Sequence, residues 1–153
     1  MDLRDLYQDI ILDHGRHPRN FGKLDPASHH AHGHNPLCGD TVTVYLDVVD
    51  GRVSAVRFDG RGCAISTASA SLMSEVITGK TLAEVDALFG DFQARATGHE
   101  TTTPEGLDEE VERLEPLIGV RAYPTRIKCA VLPWHTLKAA LDGKGEAKTE
   151  DKL

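Results

Sequence analysis

The sequence lacks any apolar run long enough to cross a bilayer, which takes roughly 20 residues. Its start, Met1-Asp2-Leu3-Arg4-Asp5, also lacks the basic residues and apolar stretch that open a signal peptide. We therefore expect a cytoplasmic protein with no membrane partner.

Cysteine is scarce, with three in 153 residues. An odd number of cysteines in a chain without a secretion signal argues against a disulfide framework. Free thiolates, metal ligands or nucleophiles are the remaining roles.

Positive charge is in deficit, with 17 Lys and Arg against 24 Asp and Glu and a formal net charge of -7. A nucleic-acid partner is therefore not expected, because phosphate binding normally needs a basic face. The sequence also has no GxSxG, HExxH or GxxxxGK[ST] motif. Serine hydrolases, zincins and P-loop NTPases have no support.

The length fits one domain with a sizeable core, because a chain of this size buries about 70% of its unfolded surface. Residues from Asp142 onward are charged and have no large apolar side chain except Leu153. We predict a single domain over 1–141 and a flexible charged tail over 142–153.

Apolar spacing in the first half predicts one helix followed by a hairpin. The helix runs from about Asp2 to His14, and a loop rich in Gly, Pro, Asn and His follows over 16–36. Residues 41–48 then alternate between apolar and polar, as in a half-buried strand. Asp50-Gly51 is a typical two-residue hairpin turn, and 53–58 is the return strand.

Apolar spacing and capping signals in the second half predict helices. One follows Cys63 as far as Gly79, and a capping box from Thr81 to Glu84 opens the next. An acidic helix over 107–118 must bend or end at Pro116. The last helix spans about Thr125 to Leu141 and contains Pro133, which either kinks it or starts a second segment.

The three cysteines stand in different local settings: Cys38-Gly39-Asp40, Gly60-Arg61-Gly62-Cys63 and Arg126-Ile127-Lys128-Cys129. Each alone could be a small buried apolar residue. Together with Asp40 they supply four ligands, in number and softness suited to tetrahedral zinc or an iron-sulfur cluster. We predict that they converge on one metal site.

A second cluster of metal-binding side chains comprises His29, His30, His32 and His34. Imidazole is a common metal ligand, but these residues have neither helical i, i+4 spacing nor a carboxylate at a useful distance. We expect a solvated loop rather than a functional one.

Several motifs, in order, resemble the U-type iron-sulfur cluster assembly family, specifically its SufU branch. They are Leu37-Cys38-Gly39-Asp40, the run from Phe58 to Met73, and Arg126-Ile127-Lys128-Cys129-Ala130 followed by Trp134. The similarity extends to the opening helix and covers nearly everything except the tail.

The resemblance implies an α+β fold with a small antiparallel three-stranded sheet and helices packed on one face. It implies Zn²⁺ held by Cys38, Asp40, Cys63 and Cys129. It further implies that Cys38 accepts sulfur from a pyridoxal-phosphate cysteine desulfurase of SufS type, for delivery to a downstream assembly protein or thiol acceptor. Position alone adds Arg126 to Cys38 as a second candidate catalytic residue, through charge balance or partner contact.

Two alternatives to sulfur transfer remain open at this point. One is a scaffold that assembles an iron-sulfur cluster on the same ligands, and the other is a non-catalytic zinc-stabilised adaptor. The scaffold branch of the family carries His immediately before the third cysteine, where this chain has Lys128. That difference, and the stretch 101–116 before the last helix, resemble the transfer branch.

Overall fold

The computed structural model describes residues 3–36 and 39–148 of the chain. In chain order the elements are α1 (Leu3–Arg16), β1 (His29–Asn35), β2 (Asp40–Val49), β3 (Arg52–Arg61), α2 (Ala64–Ile77), α3 (Leu82–Ala96), α4 (Asp108–Leu114), a 3-10 helix (Glu115–Ala122), α5 (Pro124–Leu141) and β4 (Glu146–Lys148). The predicted α+β class is confirmed.

The strands form one four-stranded sheet in the order β3-β2-β1-β4. The pairs β1/β2 and β2/β3 are antiparallel, whereas β4 runs parallel to β1. The predicted hairpin turn is present, with φ of 52° at Asp50 and 76° at Gly51, both in the left-handed region that this two-residue turn requires. The prediction of three strands is wrong by one.

Strand β1 falls where the sequence predicted a loop. Its inward positions are small, Ala31 and Gly33, so the apolar alternation is hard to see. Gly33 is needed because a Cβ there would overlap the hydroxyl of Thr136 on α5. The close packing of α5 on β1 therefore makes this segment a strand despite its weak pattern.

Strand β4 lies within the predicted flexible tail. Its backbone completes the edge of β1, where the His32 N–H donates to the Gly145 carbonyl at 2.8 Å. Ala147 packs against the core. Glu146–Lys148 therefore form a short strand within the segment predicted to be a flexible tail, and residues 149–153 lie outside the described part of the chain, so the flexible tail stays a prediction.

The helices cover one face of the sheet. Helix α5 packs on β1 and β2, α2 packs on α5, and α1 packs on α2. The capping box of α3 is confirmed by reciprocal bonds between Thr81 and Glu84. Pro116 ends α4 as expected, and α5 continues through Pro133, so no separate helix starts there.

None of the helices in the described ranges combines the length and apolar character that a membrane-spanning segment needs.

Candidate metal centre

The carboxylate of the site comes from the first residue of β2. Asp40 shares the parity of Val42, Val44 and Leu46, so its side chain points to the helix-covered face, where it is 4% exposed. Its partner across the sheet is Asn35, which is also buried. A carboxylate held this deep needs partners or a cation, because burying an uncompensated charge is costly.

The first described sulfur stands at the N-cap of α2. The backbone N–H of Cys63 donates to Asp40 Oδ1 at 3.1 Å, and its Sγ lies 3.7 Å from Asp40 Oδ2. Glycines suit this approach: a Cβ on Gly60, at φ +143°, would overlap the Thr41 carbonyl, and one on Gly62 would lie 3.1 Å from the side chain of Ser66. The end of β3 and the residue after it can therefore pass close to β2 and α2, which brings Cys63 to Asp40.

The second described sulfur lies in the second turn of α5. Cys129 is 3% exposed, and its Sγ lies 3.5 Å from the Thr125 carbonyl oxygen. Both described cysteines are free of disulfides.

The ligand atoms of Asp40, Cys63 and Cys129 all lie within 4.8 Å of one another. In the described part of the chain they are the only such group of three His, Cys, Asp or Glu residues. Two sulfurs and a carboxylate oxygen at this spacing fit one zinc ion, which prefers thiolate and carboxylate donors in tetrahedral sites. The predicted convergence is thus seen for three of the four residues.

Cys38 lies outside the described residues, so its predicted role as ligand and sulfur acceptor stays a prediction. The described residues on either side of Cys38 lie close to Asp40. Asn35 and Asp40 are paired across the sheet, and the Gly39 N–H donates to the Asn35 carbonyl at 2.9 Å. The segment containing Cys38 therefore begins and ends beside Asp40.

The pKa values of the two described thiols are shifted in opposite directions. A hydrogen bond from Cys129 lowers the pKa of Cys63 to about 6, and the N–H groups of Ser66 and Ile65 add to this against the effect of burial. The pKa of Cys129 is raised, first by its bond to Cys63 and then by burial and Asp40. In the metal-free protein these shifts favour the thiolate at Cys63 and the protonated thiol at Cys129.

Arg126 is exposed in the first turn of α5, three residues before Cys129. Within residues 3–36 and 39–148, its side chain makes no hydrogen bond or ion pair. Its catalytic role stays a prediction.

The histidine cluster lies on strand β1 instead of in a loop. His30 stacks on Tyr45, and His32 Nδ1 lies 2.9 Å from Thr43 Oγ1. His30, His32 and His34 have the opposite parity to Ala31, Gly33 and Asn35, so they line the face of the sheet away from the helices and the metal centre, whereas His29 begins the strand on the inward parity. They do not join the group of ligands.

Sequence reasoning did not identify two groups beside the site, Asn35 and the carbonyl of Thr125. Asn35 shares the inward parity of Ala31 and Gly33, so recognising β1 would have revealed it. The Thr125 carbonyl has no side-chain signal, because it follows only from the helical position of Cys129.

Residues 6–130 match the family of the NifU-like N terminal domain. The chain belongs to this family. The resemblance to the iron-sulfur cluster assembly proteins is confirmed by relatives that align with nearly the whole length of this chain.

The chain is 39% identical over 142 residues to "Iron-sulfur cluster assembly scaffold protein IscU" of Thermotoga maritima, covering 92% of this chain and 96% of the relative. It is 36% identical over 149 residues to "Zinc-dependent sulfurtransferase SufU" of Bacillus subtilis, covering 97% and 95%. A solved structure, a nitrogen-fixing NifU-like protein (N-terminal) from Brucella abortus, matches with a TM-score of 0.78 at 28% identity, covering 92% and 94%.

Proposed function

We propose that this protein is a zinc-dependent sulfur-transfer protein of iron-sulfur cluster assembly. In this proposal Cys38 accepts persulfide sulfur from a cysteine desulfurase and passes it on. The observation that carries the proposal is the convergence of Asp40, Cys63 and Cys129 within 4.8 Å beside the connection that contains Cys38.

The proposed ligands of zinc are Cys38, Asp40, Cys63 and Cys129. When bound, zinc would keep the thiolates deprotonated and protect them from oxidation, since a coordinating thiol loses its proton outright. The basic side chains of Arg126 and Lys128 near Cys129 would offset the net negative charge of three thiolates and one carboxylate around a divalent ion.

The transfer step needs no oxidant. The Cys38 thiolate attacks the outer sulfur of the desulfurase persulfide, the S–S bond of that persulfide breaks, and the desulfurase cysteine leaves as a thiolate. Cys38 then carries the sulfur as a persulfide for a downstream thiol acceptor or assembly protein.

We assign different roles to the three described ligands and to Cys38. Asp40 begins a strand, Cys63 caps a helix and Cys129 lies inside another, so all three are held by regular structure. Cys38 follows β1 and precedes β2 in the chain and lies outside the described residues. In this proposal the other three groups keep the metal site in place, and Cys38 accepts the sulfur.

A pyridoxal-phosphate cysteine desulfurase of SufS type is the proposed partner. The relative from Bacillus subtilis is named a zinc-dependent sulfurtransferase, which supports transfer. Lys128, in place of the His of the scaffold branch, supports it further.

The second candidate function is a scaffold on which an iron-sulfur cluster is assembled, transiently, on the same ligands. The observation in its favour is that the Thermotoga maritima relative, at 39% identity, is named a scaffold. Anaerobic reconstitution with iron and sulfide that gives no stable visible chromophore would count against it. A non-catalytic zinc adaptor is the third reading, and any persulfide found on a cysteine after exposure to a desulfurase excludes it.

The test is the turnover of the cognate cysteine desulfurase with cysteine and a reductant. We expect zinc-loaded protein to accelerate turnover, chelator-stripped protein to lose the effect, and Cys38→Ala to abolish sulfur acceptance while keeping the fold. Ser74→Ala, a buried change on α2 away from the ligands, is the matched control and should accelerate turnover as the wild type does. Sulfur transfer retained by Cys38→Ala would refute the proposal.

A further inference from the structure

The buried hydroxyl of Ser69 forms a hydrogen bond between α2, which begins after Cys63, and α5, which contains Cys129. Ser69 lies on α2, six residues after Cys63, and is 0% exposed. Its Oγ donates to the carbonyl of Ala130 on α5, at 2.5 Å. Ala130 directly follows Cys129, so the bond acts one residue away from the sulfur-bearing position.

The bond falls where the hydrogen-bond ladder of α5 is interrupted. Pro133 lies four residues after Cys129 and has no N–H, so the Cys129 carbonyl loses its usual helical donor. The proline ring also crowds that carbonyl, so the regular hydrogen-bond pattern of α5 is disturbed in the turn containing Cys129 and Ala130. Ser69 supplies a donor from another element at this turn.

Other buried hydroxyls on α2 bond elsewhere. Ser71 Oγ meets His14 of α1 at 2.7 Å, and Ser74 donates to the Ser71 carbonyl of its own helix at 2.7 Å. Within the described residues, the hydrogen bond of Ser69 is the one that joins an α2 hydroxyl to α5. The tie is therefore specific to the pair of helices that bring the two thiols together.

We propose that Ser69 is a positioning residue for the metal centre, which holds Cys129 at the distance from Cys63 that one metal ion requires. This inference rests on the proposed zinc site. It extends that site, because Ser69 touches no ligand atom and acts through the backbone of α5. Groups that orient metal ligands without binding the metal typically change affinity by roughly 10–100-fold when removed.

The test measures zinc affinity by competition with a chromophoric chelator, together with urea unfolding of the metal-free protein. We expect Ser69→Ala to weaken zinc binding about 10-fold or more. Ser74→Ala is the matched control, because it also removes a fully buried α2 hydroxyl but leaves the tie to α5 intact. It should keep wild-type affinity even if it lowers stability as much as Ser69→Ala does.

A second pair of variants keeps the proposal testable if Ser69→Ala does not fold. Ser69→Thr and Ser69→Val add nearly the same volume and differ in the hydroxyl, so Ser69→Thr should bind zinc at least about 10-fold more tightly. Equal affinities in that pair, or wild-type affinity in Ser69→Ala, would overturn the positioning role and leave the zinc site standing. A wild-type protein that binds no zinc would overturn the site itself and this inference with it.

Discussion

Helices α2 and α5 each bring one cysteine to the same point, but they place it differently. Cys63 caps α2 and is half-buried, whereas Cys129 lies in the second turn of α5, fully buried. At the start of α2 the sulfur meets the N–H groups of Ile65 and Ser66, while in α5 it lies 3.5 Å from the Thr125 carbonyl oxygen. The hydrogen bond from Cys129, and after it these N–H groups, lower the pKa of Cys63, whereas the bond to Cys63, burial and Asp40 raise the pKa of Cys129.

The difference shows that two cysteines near helix starts are not chemically equivalent. The N–H groups at the start of α2 favour the thiolate of Cys63, whereas Cys129, in the second turn of α5, lies beyond the N–H groups of its helix start. Binding of a metal would release the protons that the thiol ligands still hold, that of Cys129 among them.

The largest expected effect comes from removing either sulfur. Cys63→Ser and Cys129→Ser should each weaken zinc binding by more than about 100-fold, because even partners that only orient ligands are worth roughly 10–100-fold. Chelator competition measures the loss. If one of the two variants binds zinc as the wild type does, that sulfur is not a ligand and the two helices do not share one site.

The end of β3, which leads to α2, gives the next effect. Gly60→Ala should lower the free energy of unfolding by about 2 kcal/mol or more, because its φ of +143° is strained for any side chain and its Cβ would meet the Thr41 carbonyl. Urea denaturation of the metal-free protein measures it.

Gly90→Ala is the matched control for that change. Gly90 lies inside α3 with nothing within 4 Å of its added Cβ, so this variant should gain roughly 0.5–1 kcal/mol instead. A Gly60→Ala protein as stable as the wild type would show that the end of β3 accepts a side chain at this position despite its close approach to Thr41.

The third prediction concerns the reactivity of the metal-free thiols. Cys63 should be alkylated by iodoacetamide at least about 10-fold faster than Cys129 at pH 7, because the thiolate is the nucleophile. The rate at Cys63 should be half-maximal near its pKa of about 6. Peptide mapping by mass spectrometry separates the sites, and faster labelling of Cys129 would contradict the assigned charge states.

The smallest expected effect is the pH dependence of stability contributed by His14 of α1, which contacts Ser71 of α2. Burial, then Arg19, lowers the pKa of His14, whose Nδ1 bonds Ser71 Oγ at 2.7 Å. The folded state therefore binds this proton less readily than the unfolded chain, whose His has a pKa of about 6.5. The stability contributed by neutral His14 is complete above that value and is lost as the pH falls through the folded pKa.

Urea midpoints of the metal-free protein at pH 7.5 and pH 5.5 test this. Wild-type stability should fall more between these two conditions than that of His14→Gln, which has no group to titrate there. Equal losses would show that His14 does not link the packing of α1 on α2 to pH.

Much of the fold was predictable because its strongest patterns are local. Val42 to Val48 alternate cleanly, Asp50-Gly51 requires a tight turn, and Thr81 and Glu84 form a capping box, so β2, the hairpin and α3 were expected. Strands β1 and β4 were not expected, because Gly33 and Ala147 become core positions only once α5 packs against them.

The candidate site was predictable in its residue types and less so in its geometry. Cys63 at the mouth of a helix and Asp40 on the inward face of a strand follow from local sequence. The approach of Cys129 depends on how α5 crosses α2, which involves the bond from Ser69 to a backbone carbonyl that no side-chain pattern reveals.

The most direct test of the central claim is zinc X-ray absorption spectroscopy on the metal-loaded protein, with the metal content measured on the same sample. The proposed ligand set predicts one zinc per chain with three sulfur ligands at about 2.3 Å and one oxygen at about 2.0–2.2 Å. Cys38→Ala should lose one of the sulfurs. A shell of histidine nitrogens, or three sulfurs retained in Cys38→Ala, would contradict a site built from the three cysteines and Asp40.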